Sequence, residues 1–356
     1  MERIFHERKP NRSFDKIINK LSRRKGIRVI DLHTEGEPAR IILEGWPKIP
    51  GKTIEERFVN LVEGEKFNQL RDLLMREPRG HQNMFGAILL PPIAKEADVG
   101  VIYMDTSEFL YMCGHATMAI ASLMVEGGWI KQKGPETKVL LETPAGLVEA
   151  KAELGKGKIE RIVIKDVPSF KWGTKEIETS RGRLKVDIAF GGNFFGIVNA
   201  EEAGINLREE GIKEARELGM ELLEKLKRIK VLHPTKPYID SIQLVEFFGE
   251  ALDPKADKKN IVIFSRGEVD RSPCGTGTCA LMAKLFSEGK LKVGESFVQE
   301  GILGTKFKGK VLGEVEFNGF KAIIPEIEGT AYVTAISTLY LDKKDPFQTG
   351  FLLEEK

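Results

Sequence analysis

Two cysteines hold the most reactive chemistry this sequence offers. Cys113 lies in Met112-Cys-Gly-His115 and Cys274 in Pro273-Cys-Gly-Thr276, and each Cys-Gly pair opens a small-residue, apolar run that reads as a buried helix. A cysteine at the first turn of a helix meets unpaired backbone N–H groups and the positive end of the helix dipole. Both favour thiolate, the reactive form of sulfur. The glycine that follows removes a side chain that would block close approach of a ligand to the backbone. Two such turns facing each other would form an anion cradle for a carboxylate, with its α-carbon between two sulfurs. One thiolate could take the α-proton while the opposite thiol delivered a proton to the other face. That is a cofactor-independent inversion using an acid and a base of the same kind.

Other chemistries fit less well. Cys113, His115, Cys274 and Cys279 are zinc-ligand types, but no Cys-x-x-Cys pair occurs. Cys274 and Cys279 would also project well apart around a helix. Cys279 is expected to pack as a small hydrophobe. Gly275-Thr-Gly-Thr278 and Gly191-Gly-Asn-Phe-Phe-Gly196 lack the lysine of a phosphate loop. His33 and His81 lie in turn-rich segments and read as structural hydrogen-bonders. His115, two residues past Cys113, can bond a substrate or complete the helix cap. Asp270, four before Cys274, can meet an ammonium or act as an N-terminal charge.

The elements that must position these turns occur twice. Strand-like Ile27–Leu32 and Val99–Met104 lead to Cys113, and Val186–Phe190 and Ile261–Phe264 lead to Cys274. The helix after Cys113 stops at Gly127-Gly128 and the one after Cys274 at Gly289; extended segments follow each. Asp31 precedes Cys113 by 82 residues and Asp187 precedes Cys274 by 87. A repeat this long implies two similarly folded α/β halves facing each other. Residues 206–230 add an amphipathic helix with Ala215, Leu218, Leu222 and Leu226 on its apolar face. Between β-like Ile27–Leu32 and residue 100 lies a Gly- and Pro-punctuated region. Residues 1–26 stand apart as a basic amphipathic arm, with nine Lys/Arg against three Asp/Glu. Ser13 reads as an N-cap there and Phe14, Ile17, Ile18 and Leu21 as a docking face.

Composition bounds the rest. The chain has 356 residues, 41% hydrophobic and 30% charged, which excludes disordered and disulfide-rich classes. Its 55 basic and 53 acidic residues give a formal charge of +2 and no field for steering toward nucleic acid or anionic lipid. No run approaches a membrane span or a signal-peptide core. Three cysteines cannot form a disulfide framework, so a reducing, cytoplasmic setting is expected.

At these residues the sequence resembles the proline racemase family. Met112-Cys-Gly-His115 and Asp270-Arg-Ser-Pro-Cys-Gly-Thr-Gly-Thr278 look like its two signatures. Asp31-Leu-His-Thr-Glu-Gly-Glu-Pro38, Glu77-Pro-Arg-Gly-His81 and Asp187-Ile-Ala-Phe-Gly-Gly-Asn-Phe194 extend the likeness over nearly the whole chain beyond the arm. The resemblance implies a diaminopimelate-epimerase-like α/β fold. Two similar domains each wrap a β-sheet or barrel around a central helix, with the active site in the cleft between them. Domain I would span 27–165, with 342–356 returning to it, and domain II 166–341. The resemblance further implies that Cys113 and Cys274 are the acid/base pair. Gly114, Gly275 and Thr276 would serve the substrate carboxylate through N–H groups, and His115 and Asp270 would hold the ring nitrogen. No metal or cofactor is implied, and a homodimer is. The family includes proline racemases, 4-hydroxyproline 2-epimerases and trans-3-hydroxyproline dehydratases. Elimination needs one base at Cα, so two cysteines favour inversion over dehydration. A non-catalytic binder of cyclic amino acids would need the N–H cradle but not two thiols. Ala116-Thr117 matches neither the Asn-Ser common after the first signature in racemases nor the Gly-Thr of epimerases. Ser241 stands where many epimerases carry a histidine, which leans toward proline or toward a tolerant enzyme acting on both proline and 4-hydroxyproline.

Overall fold

The computed structural model describes residues 12–353. The first eleven residues of the expected arm, and the side chains of Phe14 and Ile18, lie outside what is described. A helix, α1, covers Arg12–Leu21 and includes Ser13, whose side chain likewise lies outside what is described. Ile17 and Leu21, expected on a docking face, are exposed.

The chain continues through β1 (Gly26–Thr34), β2 (Glu37–Glu44), α2 (Ile54–Glu63), α3 (Glu65–Met75), β3 (Gly86–Leu90), β4 (Val99–Met104), β5 (Phe109–Leu110), α4 (Gly114–Glu126), β6 (Glu136–Thr143), β7 (Gly146–Gly155) and β8 (Lys158–Lys165). A second set follows: β9 (Ser169–Thr179), β10 (Gly182–Phe190), β11 (Phe194–Asn199), α5 (Ile212–Leu226), β12 (Ile242–Gly249), β13 (Lys258–Phe264), β14 (Glu268–Val269), α6 (Gly275–Ser287), β15 (Ser296–Glu300), β16 (Lys306–Phe317), β17 (Phe320–Gly329) and β18 (Ala331–Tyr340). The Gly- and Pro-punctuated stretch thus contains two helices that hydrophobic spacing did not reveal. Thr53 caps the first of them, its side chain accepting from the Glu56 N–H.

Strand for strand, the two sets pair alike. One half runs β18–β1–β2–β3–β4–β6–β7–β8 and the other β9–β10–β11–β12–β13–β15–β16–β17. Each makes two antiparallel steps, then a parallel, an antiparallel, a parallel and two more antiparallel steps. The second half closes where β17 meets β9, and β17 then continues along β8, joining the halves in one sheet. The return to the first half begins at Ala331, earlier than the expected Asp342. β1 needs a partner on its outer edge, and β18 supplies it over nine register pairs from Gly26↔Tyr340 to Thr34↔Ala331. Residues beyond Tyr340 stay with that half: Arg79 pairs with Asp345, and Glu77 bridges to Phe351.

Why α4 and α6 sit at the centres follows from their composition. A helix with no polar face has nowhere stable to lie except inside. Gly114–Ser122 and Gly275–Phe286 are buried throughout. Strands β1, β2, β7, β8 and β18 surround α4, and β9, β10, β16 and β17 surround α6. The amphipathic α5 lies outside, burying Ala215, Leu218, Leu222 and Leu226 against β12 and β13.

Candidate active site

The N-termini of the two central helices meet head to head. A Cβ placed on Gly114 would stand 2.7 Å from the Gly275 Cα, and one on Gly275 would stand 2.7 Å from the Gly114 Cα. The glycine after each cysteine is therefore required by the opposite helix, a closer constraint than the ligand access expected from sequence. Each cysteine is the residue that immediately precedes its helix. The first amides of both helices converge on one point, and those of Gly114, Gly275 and Thr276 have no acceptor among the described residues.

Cys113 has extended backbone, and its sulfur accepts from the Ala116 N–H at 3.4 Å. His115 lies beside it, Nδ1 3.1 Å from Sγ. The imidazole also bonds the Pro38 carbonyl, and burial holds its pKa at about 3, so it is neutral. Cys274 adopts φ +61°, a region costly for any residue with a Cβ. Its surroundings impose that geometry. The Cys274 N–H donates to Ser272 Oγ at 3.1 Å, Ser272 donates to Asp270, and Asn260 holds the Pro273 carbonyl at 2.8 Å. Thr117 and Thr278, four residues past each cysteine, donate to the cysteine carbonyls at 2.7 Å each, one more detail the halves share.

Both cysteines line one narrow cavity of about 20 Å³. All seven residues singled out in the sequence line it: Cys113, Gly114, His115, Asp270, Cys274, Gly275 and Thr276. Phe85, Leu110, Met112, Leu244 and Phe264 supply an apolar wall. Wider clefts exist, the largest around Lys171 and Lys284, but none of the seven residues lines them. Ser241 opens onto one of these outer clefts and bonds Tyr111, so it is not part of the cavity wall. Cys279 points elsewhere, its S–H 3.6 Å from Asp166. His33 and His81 accept from the Gly36 and Asn83 amides and shape turns.

The electrostatics depart from the expectation that helix dipoles favour thiolate. Cys113 and Cys274 are 6% and 4% exposed. Burial pushes both thiols well above their usual range, and the nearby carboxyl of Asp270 pushes both further. Desolvation of a full charge outweighs a half-charge dipole. Asp270 itself is driven up to about 6 by burial, against the pull of its Ser272 hydrogen bonds. Glu37, fully buried, is likewise raised by burial and by Asp270.

Two further residues hold the site and had no assigned role in the sequence reading. Asn193, at the β10–β11 turn, donates from Nδ2 to the Met112 carbonyl at 2.6 Å and accepts the Tyr111 N–H at 3.2 Å. Glu37, at the β1–β2 turn, accepts the Arg271 N–H at 2.7 Å. Each half's hairpin thus grips the segment leading to the other half's cysteine.

This constellation defines a class: an isomerase fold of two like halves, with a cysteine from each lining a shared, narrow cavity. The chain belongs to the proline racemase family, whose profile matches residues 29–352. It is 42% identical over 331 residues to the proline racemase of Acetoanaerobium sticklandii, covering 92% of this chain and 98% of that one. It is 38% identical over 327 residues to the 4-hydroxyproline 2-epimerase of Streptosporangium roseum, covering 91% and 97%. Among solved structures, a hydroxyproline epimerase from Agrobacterium vitis with bound trans-4-hydroxy-L-proline superposes with a TM-score of 0.88 at 34% identity, covering 92% of this chain and 95% of that one. A Bacillus anthracis phenazine biosynthesis protein of the PhzF family shares the fold alone, with a TM-score of 0.57 at 14% identity over 89% of this chain and 100% of that one. The protein is thus an isomerase of the racemase/epimerase type.

Proposed function

We propose that this enzyme interconverts L- and D-proline by a two-base mechanism in which Cys113 and Cys274 exchange the roles of base and acid. The single observation that carries the reading is the head-to-head meeting of α4 and α6, which puts a cysteine from each half on one cavity. The substrate carboxylate lies on the free N–H groups of Gly114, Gly275 and Thr276, where charge that develops as Cα loses its proton is also stabilised. The secondary ammonium lies against Asp270. That placement neutralises a carboxyl that opposes ionisation of both sulfurs, so bound substrate eases formation of the thiolate that attacks it. One sulfur removes the α-proton, the opposite thiol delivers a proton to the other face, and the product leaves with the protonation states exchanged. His115, already bonded to Pro38, acts on the Cys113 sulfur and not on the ring nitrogen.

Proline is favoured over 4-hydroxyproline by the ring wall. Phe85, Leu110, Met112, Leu244 and Phe264 offer a ring hydroxyl nothing to bond, and the amide of Asn193 is already committed to Met112 and Tyr111. For assembly we propose a homodimer, supported by the uncharged strand β18, whose Tyr332, Val333 and Ile336 are exposed. Three unpaired cysteines support action in the cytoplasm.

The test is proton NMR in D2O with L-proline, trans-4-hydroxy-L-proline and trans-3-hydroxy-L-proline, followed by chiral analysis. Loss of the proline α-proton signal with formation of D-proline is expected. Cys113→Ser and Cys274→Ser should each abolish inversion while leaving the fold intact. Inversion at full rate by either variant refutes the two-base scheme, and consumption of only the 3-hydroxy compound would make the enzyme a dehydratase.

A further inference from the structure

Each sulfur has side-chain neighbours able to hold a proton, and one of them lies outside the signature motifs. Beside Cys113 stands His115. Beside Cys274 there are two, the signature Asp270, which bonds the thiol, and Glu246, from the middle of β12 and wholly buried. Glu246 Oε1 accepts from Asn260 Nδ2 at 2.9 Å, and the same amide holds the carbonyl directly before Cys274. Oε2 has no hydrogen-bond partner among the described residues. It faces the first turn of α6 at Gly277, where a Cβ would stand 3.0 Å from Oε2 and 3.1 Å from the Cys274 sulfur. The bare backbone of Gly277 therefore leaves the carboxyl and the sulfur a shared gap.

An ionised carboxylate here would be a buried charge with one oxygen unbonded. The groups facing it are Asn260 from β13, Asp270 from the approach to α6, and Lys284 two turns along α6. Lys284 is already engaged by Asp187 and Glu288. Burial drives the Glu246 pKa up to about 7 and Asp270 pushes it further, against the pull of Asn260 and Lys284. A neutral carboxyl has an O–H that needs an acceptor, and the sulfur across the gap can take it.

We propose that Glu246 is a positioning residue for Cys274, its neutral carboxyl donating to the sulfur as thiolate and accepting from it as thiol. Each base then has its own neutral partner, an imidazole for Cys113 and a carboxyl for Cys274. Loss of the Glu246 proton sets a negative charge against the Cys274 thiolate and shuts the site down on the alkaline side. The proposal rests on the reading of Cys274 as one of the two bases.

The experiment measures the pH dependence of kcat/KM for proline racemisation in wild type, Glu246→Gln and Glu246→Leu, with thermal melts of each. Glu246→Gln keeps a donor and an acceptor but cannot ionise, so it should run near the wild-type rate at neutral pH with its alkaline limb moved to higher pH. Glu246→Leu should lose roughly 10- to 100-fold, the range for a hydrogen bond to a charged group. A structural role alone would lower stability without moving the limb. A Glu246→Gln profile superimposable on wild type overturns the proposal, and it does so even where Glu246→Leu fails to fold. Cys274→Ser separates the two ideas: an inactive serine variant beside an unmoved Gln profile sinks Glu246 alone, whereas an active serine variant sinks the two-base reading.

Discussion

Gly275→Ala adds one methyl group at the contact between the two central helices. Its carbon would stand 2.7 Å from the Gly114 Cα and 3.0 Å from Ile327 Cδ1. Ordinary carbon–carbon contacts lie near 3.5–4.0 Å, so the two helix ends must part by about 1 Å. Both are packed through their barrels, and overpacking of this kind costs about 1–3 kcal/mol of stability. That should lower Tm by no more than about 10 °C. Catalysis should suffer far more. The amides of Gly114, Gly275 and Thr276 act as one cradle, and the sulfurs beside them move with the helix ends. A misplacement of about 1 Å can cost ~10²-fold in rate. The assay is optical rotation or circular dichroism of proline with time, beside thermal melts. Gly173→Ala is the control: its Cβ would meet nothing within 4 Å, and kcat/KM should not change. A Gly275→Ala enzyme as active as wild type, with its Tm lowered as expected, would refute the claim that this contact sets the catalytic geometry.

Asn193→Leu removes both bonds to the strand before Cys113; kcat should fall by ~10-fold or more while KM changes less, as measured by initial rates. Equal loss in a variant that merely melts earlier would argue for stability alone. Trans-4-hydroxy-L-proline should turn over with kcat/KM ~10- to 100-fold below proline, because its hydroxyl would be buried without a partner; equal rates would overturn the account of the ring wall. Asp166, fully buried, is raised to about 7 by desolvation, partly opposed by the Val167 N–H and the Cys279 thiol. An acid whose pKa rises on folding binds its proton more tightly when folded, so its contribution is present below about pH 4 and lost as pH climbs toward 7. Asp166→Asn should therefore flatten the decline of Tm between about pH 4 and pH 7, and parallel curves would count against the assignment.

What the sequence disclosed and what it withheld divide along physical lines. The Cys-Gly turns and their helices were legible because small apolar runs without a polar face can only be central helices. The repeat was legible because the spacings from Asp31 to Cys113 and from Asp187 to Cys274 nearly match. Helices α2 and α3 are masked by the glycines and prolines around them, although Thr53-x-x-Glu56 is a recognisable start signal. The reach of β18 was misjudged because a strand's partner is set by a vacant edge some 300 residues away, which local pattern does not encode. Asn193 and Glu37 lay inside quoted motifs, yet their partners, 81 and 234 residues distant, come near only once both halves have folded. The upward shift of both thiols is hidden for a similar reason: a dipole follows from helix position, whereas desolvation depends on what closes over it.

The reciprocal grip of the two hairpins bears on how long this enzyme survives in use. Any parting of the halves would strain the bonds from Asn193 to Met112 and from Arg271 to Glu37 together. With both bonds made, the two cysteines are only 6% and 4% exposed, and the sulfurs would meet bulk water more freely only as those bonds gave. Peroxides and alkylating agents, which attack exposed thiolates, find their target in the intervals between turnovers. A saturated enzyme spends little time in that condition, so abundant substrate should preserve the catalyst that consumes it.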